Sequence, residues 1–230
     1  MSKTRTVICL FRNDLRLHDN EVLISAQKLA DYVVPLYCFD PAHFKGTWHF
    51  NLAKTGAHRS KFIIESVRDL RNSLQKYKSD LIIQKSTPVD AIKNVSKLCK
   101  DSGLSVTDVL YQKEVTFEEI KVEEAVDSFC KENSIRVNQI WGATLYHLQD
   151  LPFKSIGFLP DTYTSFRKDV EAKARVRKLQ EIPAQLKPLP PCNLIPGDVP
   201  DMNSLGHPGH TKDTRLALDG ILKNPINFMG

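Results

Sequence analysis

A chain of 230 residues, 41% hydrophobic and 26% charged, is long enough to bury a core and too apolar to stay disordered. No apolar run approaches the roughly 18 residues that span a bilayer, and residues 7–11 are too few for the core of a signal peptide. A net charge of +5 permits a polyanionic partner without requiring one.

The first 140 or so residues alternate short β-rich runs with amphipathic helical patterns. Val7 to Phe11 reads as a first strand. Asp19 and Asn20 can cap the helix that follows, where Val22, Ala26 and Leu29 recur at helical spacing. Residues 32–39 form a second buried strand, with Pro35 predicting a bulge or irregular pairing. A long helix is predicted over residues 57–76, with Phe62, Ile63, Val67, Leu70 and Leu74 as its apolar stripe. Residues 81–83 make a third strand. Thr87-Pro88-Val89-Asp90 is a helix start in which Thr87 caps, Pro88 takes the first helical position and Asp90 returns toward the cap. Gly103 ends that helix. Residues 109–111 form a fourth strand, Val122, Val126, Phe129 and Cys130 mark another helix, and residues 136–141 supply a fifth strand.

This alternation predicts an α/β fold with a five-stranded, doubly wound parallel sheet. Its ligand crevice lies at the carboxyl ends of the strands, where strand order reverses. The segments brought there are residues 12–20, 40–56, 85–87, 112–117 and 142–148. Beyond Trp141 the chain becomes proline-rich and carries a basic helical pattern over residues 166–180. The expected organisation is an α/β domain over residues 5–142, an irregular Pro-rich connector over 143–200 laid on a neighbouring surface, and a tail over 201–230 with little periodicity.

Five cysteines, Cys9, Cys38, Cys99, Cys130 and Cys192, are widely spaced and form no CxxC pair. That spacing predicts free thiols and an intracellular, reducing compartment, with no zinc site. The pairs His43/His49 and His207/His210 lack a third ligand nearby, so no metal site is expected. No GxGxxG or GxxxxGK[ST] loop follows the first strand, which disfavours a dehydrogenase-type dinucleotide site. The turn there, residues 12–20, is dense in Arg, Asp and Asn. It reads either as a surface turn whose charges pair off or as a crevice rim fixed by Arg–carboxylate bonds. Glu114, Glu118 and Glu119 cluster after the fourth strand. They are helix N-terminal acids favoured by the dipole, or acceptors for the N–H groups of a heterocycle in the crevice. The basic pattern over 166–180 is a solvated helix face or a nucleic-acid contact.

The turn Leu10-Phe11-Arg12-Asn13-Asp14-Leu15-Arg16-Leu17-His18-Asp19-Asn20 resembles the opening signature of photolyases and cryptochromes. Tyr37-Cys38-Phe39-Asp40-Pro41, residues 54–62, Trp141-Gly142-Ala143-Thr144-Leu145-Tyr146 and residues 161–171 agree with it, the last two looking most like the cryptochrome-DASH branch. The resemblance covers residues 5–215 and is lost in the last fifteen. It implies an antenna-binding domain of a blue-light photoreceptor or pyrimidine-dimer photolyase, with 5,10-methenyltetrahydrofolate as antenna and DNA, preferably single-stranded, as partner. It also implies that FAD belongs to a following helical domain absent from these 230 residues, so that repair by this polypeptide alone is not expected. By the same resemblance Glu118, with Glu114 in reserve, contacts the antenna, while Arg12, Asn13, Phe39 and Asp40 line the same crevice. Two other readings stand beside it: a non-enzymatic module that binds a protein or itself through residues 141–159, and an independent pterin or nucleotide binder.

Overall fold

The computed structural model describes residues 4–47, 52 and 54–207, with Ile156 described by its backbone alone. The readings made on His49, His210 and the tail from residue 208 lie outside these residues. Five strands, β1 (Thr6–Phe11), β2 (Tyr32–Cys38), β3 (Ile82–Gln84), β4 (Val106–Gln112) and β5 (Arg136–Ile140), form one sheet in the order β3-β2-β1-β4-β5. Every neighbouring pair is parallel. The sequence runs outward from β1 to β3, then returns to the other side of β1 for β4 and β5. The reversal therefore falls between β1 and β4, which sets the position of the crevice expected at the carboxyl ends of the strands.

Side-chain alternation along the strands divides the core between two layers. Val7, Cys9 and Phe11 of β1 face α1 (Glu21–Leu29) and α3 (Ala57–Lys76), which contribute Leu23, Ala26, Val67, Leu70 and Leu74. Ile8 and Leu10 face the other layer, where α4 (Pro88–Asp101) and α5 (Phe117–Glu132) contribute Ile92, Val95, Val126 and Cys130. A short helix α2 (Pro41–Phe44) follows β2, and α6 (Tyr163–Lys173) lies beyond β5. Among the described residues no helix is long and apolar enough to cross a membrane.

The predicted caps are formed. Asn20 accepts the Leu23 N–H through its side chain, and Thr87 accepts the Asp90 N–H while donating its hydroxyl to the Asp90 carboxylate at 2.7 Å. Other local expectations need correcting. Pro35 pairs regularly with Cys9; the register shift in the sheet lies between Thr6 and Val7 instead. The Val33 and Phe39 N–H groups both point toward the β3 side, so alternation turns the Pro35 nitrogen there too, just short of where β3 begins opposite Leu36. No ladder bond is lost. In α3 the buried stripe is Ser60, Ile64, Val67, Leu70 and Leu74, whereas Phe62 is 69% exposed. At 100° per residue Phe62 falls well outside that stripe.

The basic helix starts at Tyr163 and stops at Lys173, so Arg175, Arg177 and Lys178 are not helical. Ala174, buried in the C-cap position with extended backbone, turns the chain back onto the molecule. From there the chain wraps around the β3 edge of the sheet. Leu186 is buried in the first layer, Leu189, Cys192 and Leu194 pack against the second, and Met202 and Leu205 return to the first. The Val33 N–H donates to Pro188 O at 3.2 Å and the Ile83 N–H to Pro196 O at 2.7 Å. These bonds cover an edge that would otherwise expose unpaired backbone. Residues 202–207, read from sequence as part of a featureless tail, are thus anchored by two buried side chains.

At the amino ends of the strands, Asp108 is 2% exposed and ties three strands together. Arg136 contacts both of its oxygens, at 2.9 and 3.1 Å, and Arg5 reaches it at 3.2 Å. Burial opposes ionisation of Asp108. Hydrogen bonds from Thr107, Arg136 and Arg5 outweigh it and hold the carboxyl below its ordinary value. A depressed folded-state value stabilises the fold above the ordinary carboxylate range, and that stability is lost as pH falls through the depressed value. Asp108→Asn should therefore flatten the decline of stability below pH ~4, measured by urea unfolding across pH. An unchanged acid limb would remove Asp108 from this role.

Candidate functional site

The crevice is built on the first turn, which leaves β1 at Phe11. Asp14 accepts the Arg12 N–H at 3.1 Å, and Asn20 donates to Arg16 O at 2.9 Å and to the Asp14 carboxylate at 3.3 Å. Arg16 closes the turn by donating to the carbonyls of His18 and Asp19. Asp19 occupies a left-handed conformation at φ 49°, which a short polar side chain tolerates. Asp14 is almost fully buried, and desolvation raises its pKa despite the hydrogen bonds it receives.

The arginines do not pair with the aspartates of their own turn. Arg12 crosses to α5, donating to Glu123 at 2.6 Å and to both the carboxylate and the backbone carbonyl of Glu119. Its guanidinium also lies 5.8 Å from the centroid of the Tyr111 ring, within cation–π range. Glu123 accepts the Glu114 N–H as well, at 2.8 Å. One buried cation thus joins the end of β1, the loop after β4 and the first turns of α5. This network belongs to the Arg–carboxylate alternative read from the sequence, but its acids come from another element.

Two adjoining hollows open above these groups. The deeper encloses about 170 Å³ and is lined by Phe11, Arg12, Tyr37, Asp40, Arg59 and Phe62 among others. The shallower, of about 500 Å³, is lined by Asn13, Lys54, Glu114, Phe117, Glu118 and Glu119. They share Asn13, His43, Thr55, Arg59 and Glu119, and so form one continuous crevice.

Five of the six residues singled out from sequence border it. Arg12 and Asp40 line the deeper part, Glu114 and Glu118 the shallower, and Asn13 both. Asn13 donates to Glu114 at 3.1 Å, and Glu118 accepts from Lys54 at 2.7 Å. The Lys54 hydrogen bond lowers the Glu118 pKa, keeping an exposed carboxylate ionised. Asp40 caps α2 by accepting the Ala42 N–H at 2.8 Å. Phe39 is the exception. It is 1% exposed, packs edge-on against Tyr37, and belongs to the core rather than to the lining. Sequence reading passed over Tyr37, Arg59 and Phe62 as crevice residues. The signal available for the last two was their place in the first turns of a helix entered directly from a crevice loop.

A five-stranded parallel sheet with helices on both faces, and a crevice lined by acidic, basic and aromatic side chains at the carboxyl ends of its strands, defines the class of this α/β domain. The chain belongs to the DNA photolyase family, whose model matches residues 7–190. It is 50% identical to cryptochrome DASH of Danio rerio over 217 residues, covering 94% of this chain and 41% of that protein. Cryptochrome DASH of Xenopus laevis is 48% identical, with 93% of this chain and 40% of the relative covered. Among solved structures, the cryptochrome of Synechocystis sp. PCC6803 superposes with a TM-score of 0.79 at 38% identity, covering 88% of this chain and 41% of that one. The chain thus spans about two fifths of the length of the relatives it matches.

Proposed function

We propose that the crevice binds the antenna chromophore of a cryptochrome-DASH-type blue-light protein, a 5,10-methenyltetrahydrofolate. The observation that carries this reading is the meeting of Glu114 and Glu118 with Lys54 and Arg59 along a crevice also lined by the exposed rings of Phe62 and Phe117. The donor set fits a reduced folate. Carboxylates accept from pterin N–H groups, exposed aromatic rings offer stacking faces, and lysine and arginine complement the folate carboxylates. When bound, such a group supplies near-ultraviolet and blue absorption and passes excitation to a flavin. Residues of this chain bind and orient it: Asn13 holds Glu114, Lys54 holds Glu118 ionised, and Arg12 fixes α5 against the first turn.

In this reading the whole protein's chemistry, light-driven electron transfer from reduced FAD to pyrimidine dimers in DNA, takes place in the remaining part of its longer relatives. No residue described here is assigned to FAD or DNA. Fluorescence titration with methenyltetrahydrofolate tests the proposal. Glu118→Gln, which keeps the shape and removes the charge, should weaken binding roughly tenfold, the effect of losing a charge-assisted hydrogen bond. Absence of binding at high micromolar ligand would end it.

A second reading, an interaction surface, rests on Leu145, Leu148 and Phe158, which are 72%, 50% and 66% exposed. It is checked by light scattering: self-association supports it, and a monomer across the accessible concentration range counts against a homotypic surface.

A further inference from the structure

The chain that wraps the β3 edge is held at two backbone anchors, Pro188 O on Val33 and Pro196 O on Ile83. Midway between them, Cys192 comes over α4, and its Sγ lies 3.8 Å from Sγ of Cys99. Cys99 is fully buried, whereas Cys192 is only partly so. This pair of free thiols is 93 residues apart in sequence and in contact in the fold, a meeting that spacing along the chain does not signal. Cys9, Cys38 and Cys130 remain buried free thiols.

We propose that Cys99 and Cys192 form a reversible disulfide that latches the edge-covering segment onto α4. A disulfide needs sulfurs about 2.05 Å apart, so the pair must close by about 1.8 Å from its 3.8 Å contact. Residues 189–196 contain no helix or strand, and this segment can make that adjustment without breaking regular structure. Cys192, reachable from solvent, acts first. Its thiolate attacks the S–S bond of a low-molecular-weight disulfide such as oxidised glutathione, and the displaced thiolate takes up a proton. Cys99 then loses its proton and its sulfur attacks Cys192, displacing the second small thiol. Two protein thiols are oxidised to one disulfide, and one small disulfide is reduced to two thiols. Burial and the neighbouring Cys192 raise the Cys99 pKa to about 12, consistent with its entering second, within an existing contact.

The full 230-residue chain is incubated with oxidised glutathione, alkylated after denaturation, digested without reductant and analysed by mass spectrometry. The expected product is a cross-linked peptide pair carrying Cys99 and Cys192, with Cys9, Cys38 and Cys130 alkylated. Hydrogen exchange at the Ile83 amide, which reports attachment of the segment, should slow about tenfold on oxidation. The Cys192→Ser chain should show neither change. A glutathione adduct persisting on Cys192, a bond between other cysteines or between chains, or five alkylated thiols would each overturn the proposal. So would a Cys99–Cys192 bond that leaves Ile83 exchange unchanged, since the segment would then not be latched.

Discussion

Replacing Arg12 by leucine is expected to lower the free energy of unfolding by about 3–5 kcal/mol, as measured by urea denaturation. The reason is not the worth of the ion pairs themselves, because two charges taken out of water recover little more than their desolvation cost. It is what remains after the change. Glu123, 5% exposed, and Glu119 would face each other without the guanidinium that now bonds to both. The Glu119 carbonyl would also lose a donor. Arg12→Lys should recover only part of the loss, since an ammonium cannot supply the planar fork that reaches two carboxylates. The double variant Arg12→Leu, Glu123→Leu should be more stable than Arg12→Leu alone, because removing both partners leaves no unpaired buried charge at that position. A loss below about 1 kcal/mol for Arg12→Leu would mean that the Glu123 carboxylate finds water, contrary to its burial.

Gly197→Ala should cost about 2–4 kcal/mol, the second largest effect expected. Gly197 has φ +73°, a left-handed conformation that disfavours a side chain, and a Cβ built there would meet Ile83 O at 2.3 Å. That atom belongs to strand backbone and has little room to move. Arg71 closes the site further by donating to Gly197 O at 2.8 Å while paired with Asp80. Gly103 provides the control, with φ +75° and no atom within 4 Å of the point a Cβ would occupy. Gly103→Ala should cost only the conformational part, about 1 kcal/mol. Hydrogen exchange separates local from global loss: in Gly197→Ala the Ile83 amide should exchange faster even where the centre of the sheet does not. Equal costs at the two glycines would show that the wrapping segment is not closely packed.

The features legible in the sequence are the ones written in short-range chemistry. Alternating strand and helix patterns predicted the five-stranded parallel sheet, and the 57–76 helix has the expected ends. Asn20 and Thr87 cap as predicted because a cap needs only a side-chain oxygen and an amide two or three residues on. The position of the crevice followed from topology, which brings the first turn and the loop after β4 to the same end of the sheet.

Fold class, helix caps and family were all legible along the chain, since periodicity, cap chemistry and a dense motif are local signals. Which charges meet was settled by folding. Arg12 finds its acids 107 and 111 residues away, on α5, where no spacing rule reaches. Tertiary packing also kept Phe39 out of the crevice while the likewise buried Tyr37 lines it, and drew the Pro-rich connector around the sheet edge. A parallel sheet exposes unpaired backbone and apolar surface at its rim. Which segment covers them depends on where the chain returns in space, and sequence spacing does not encode that.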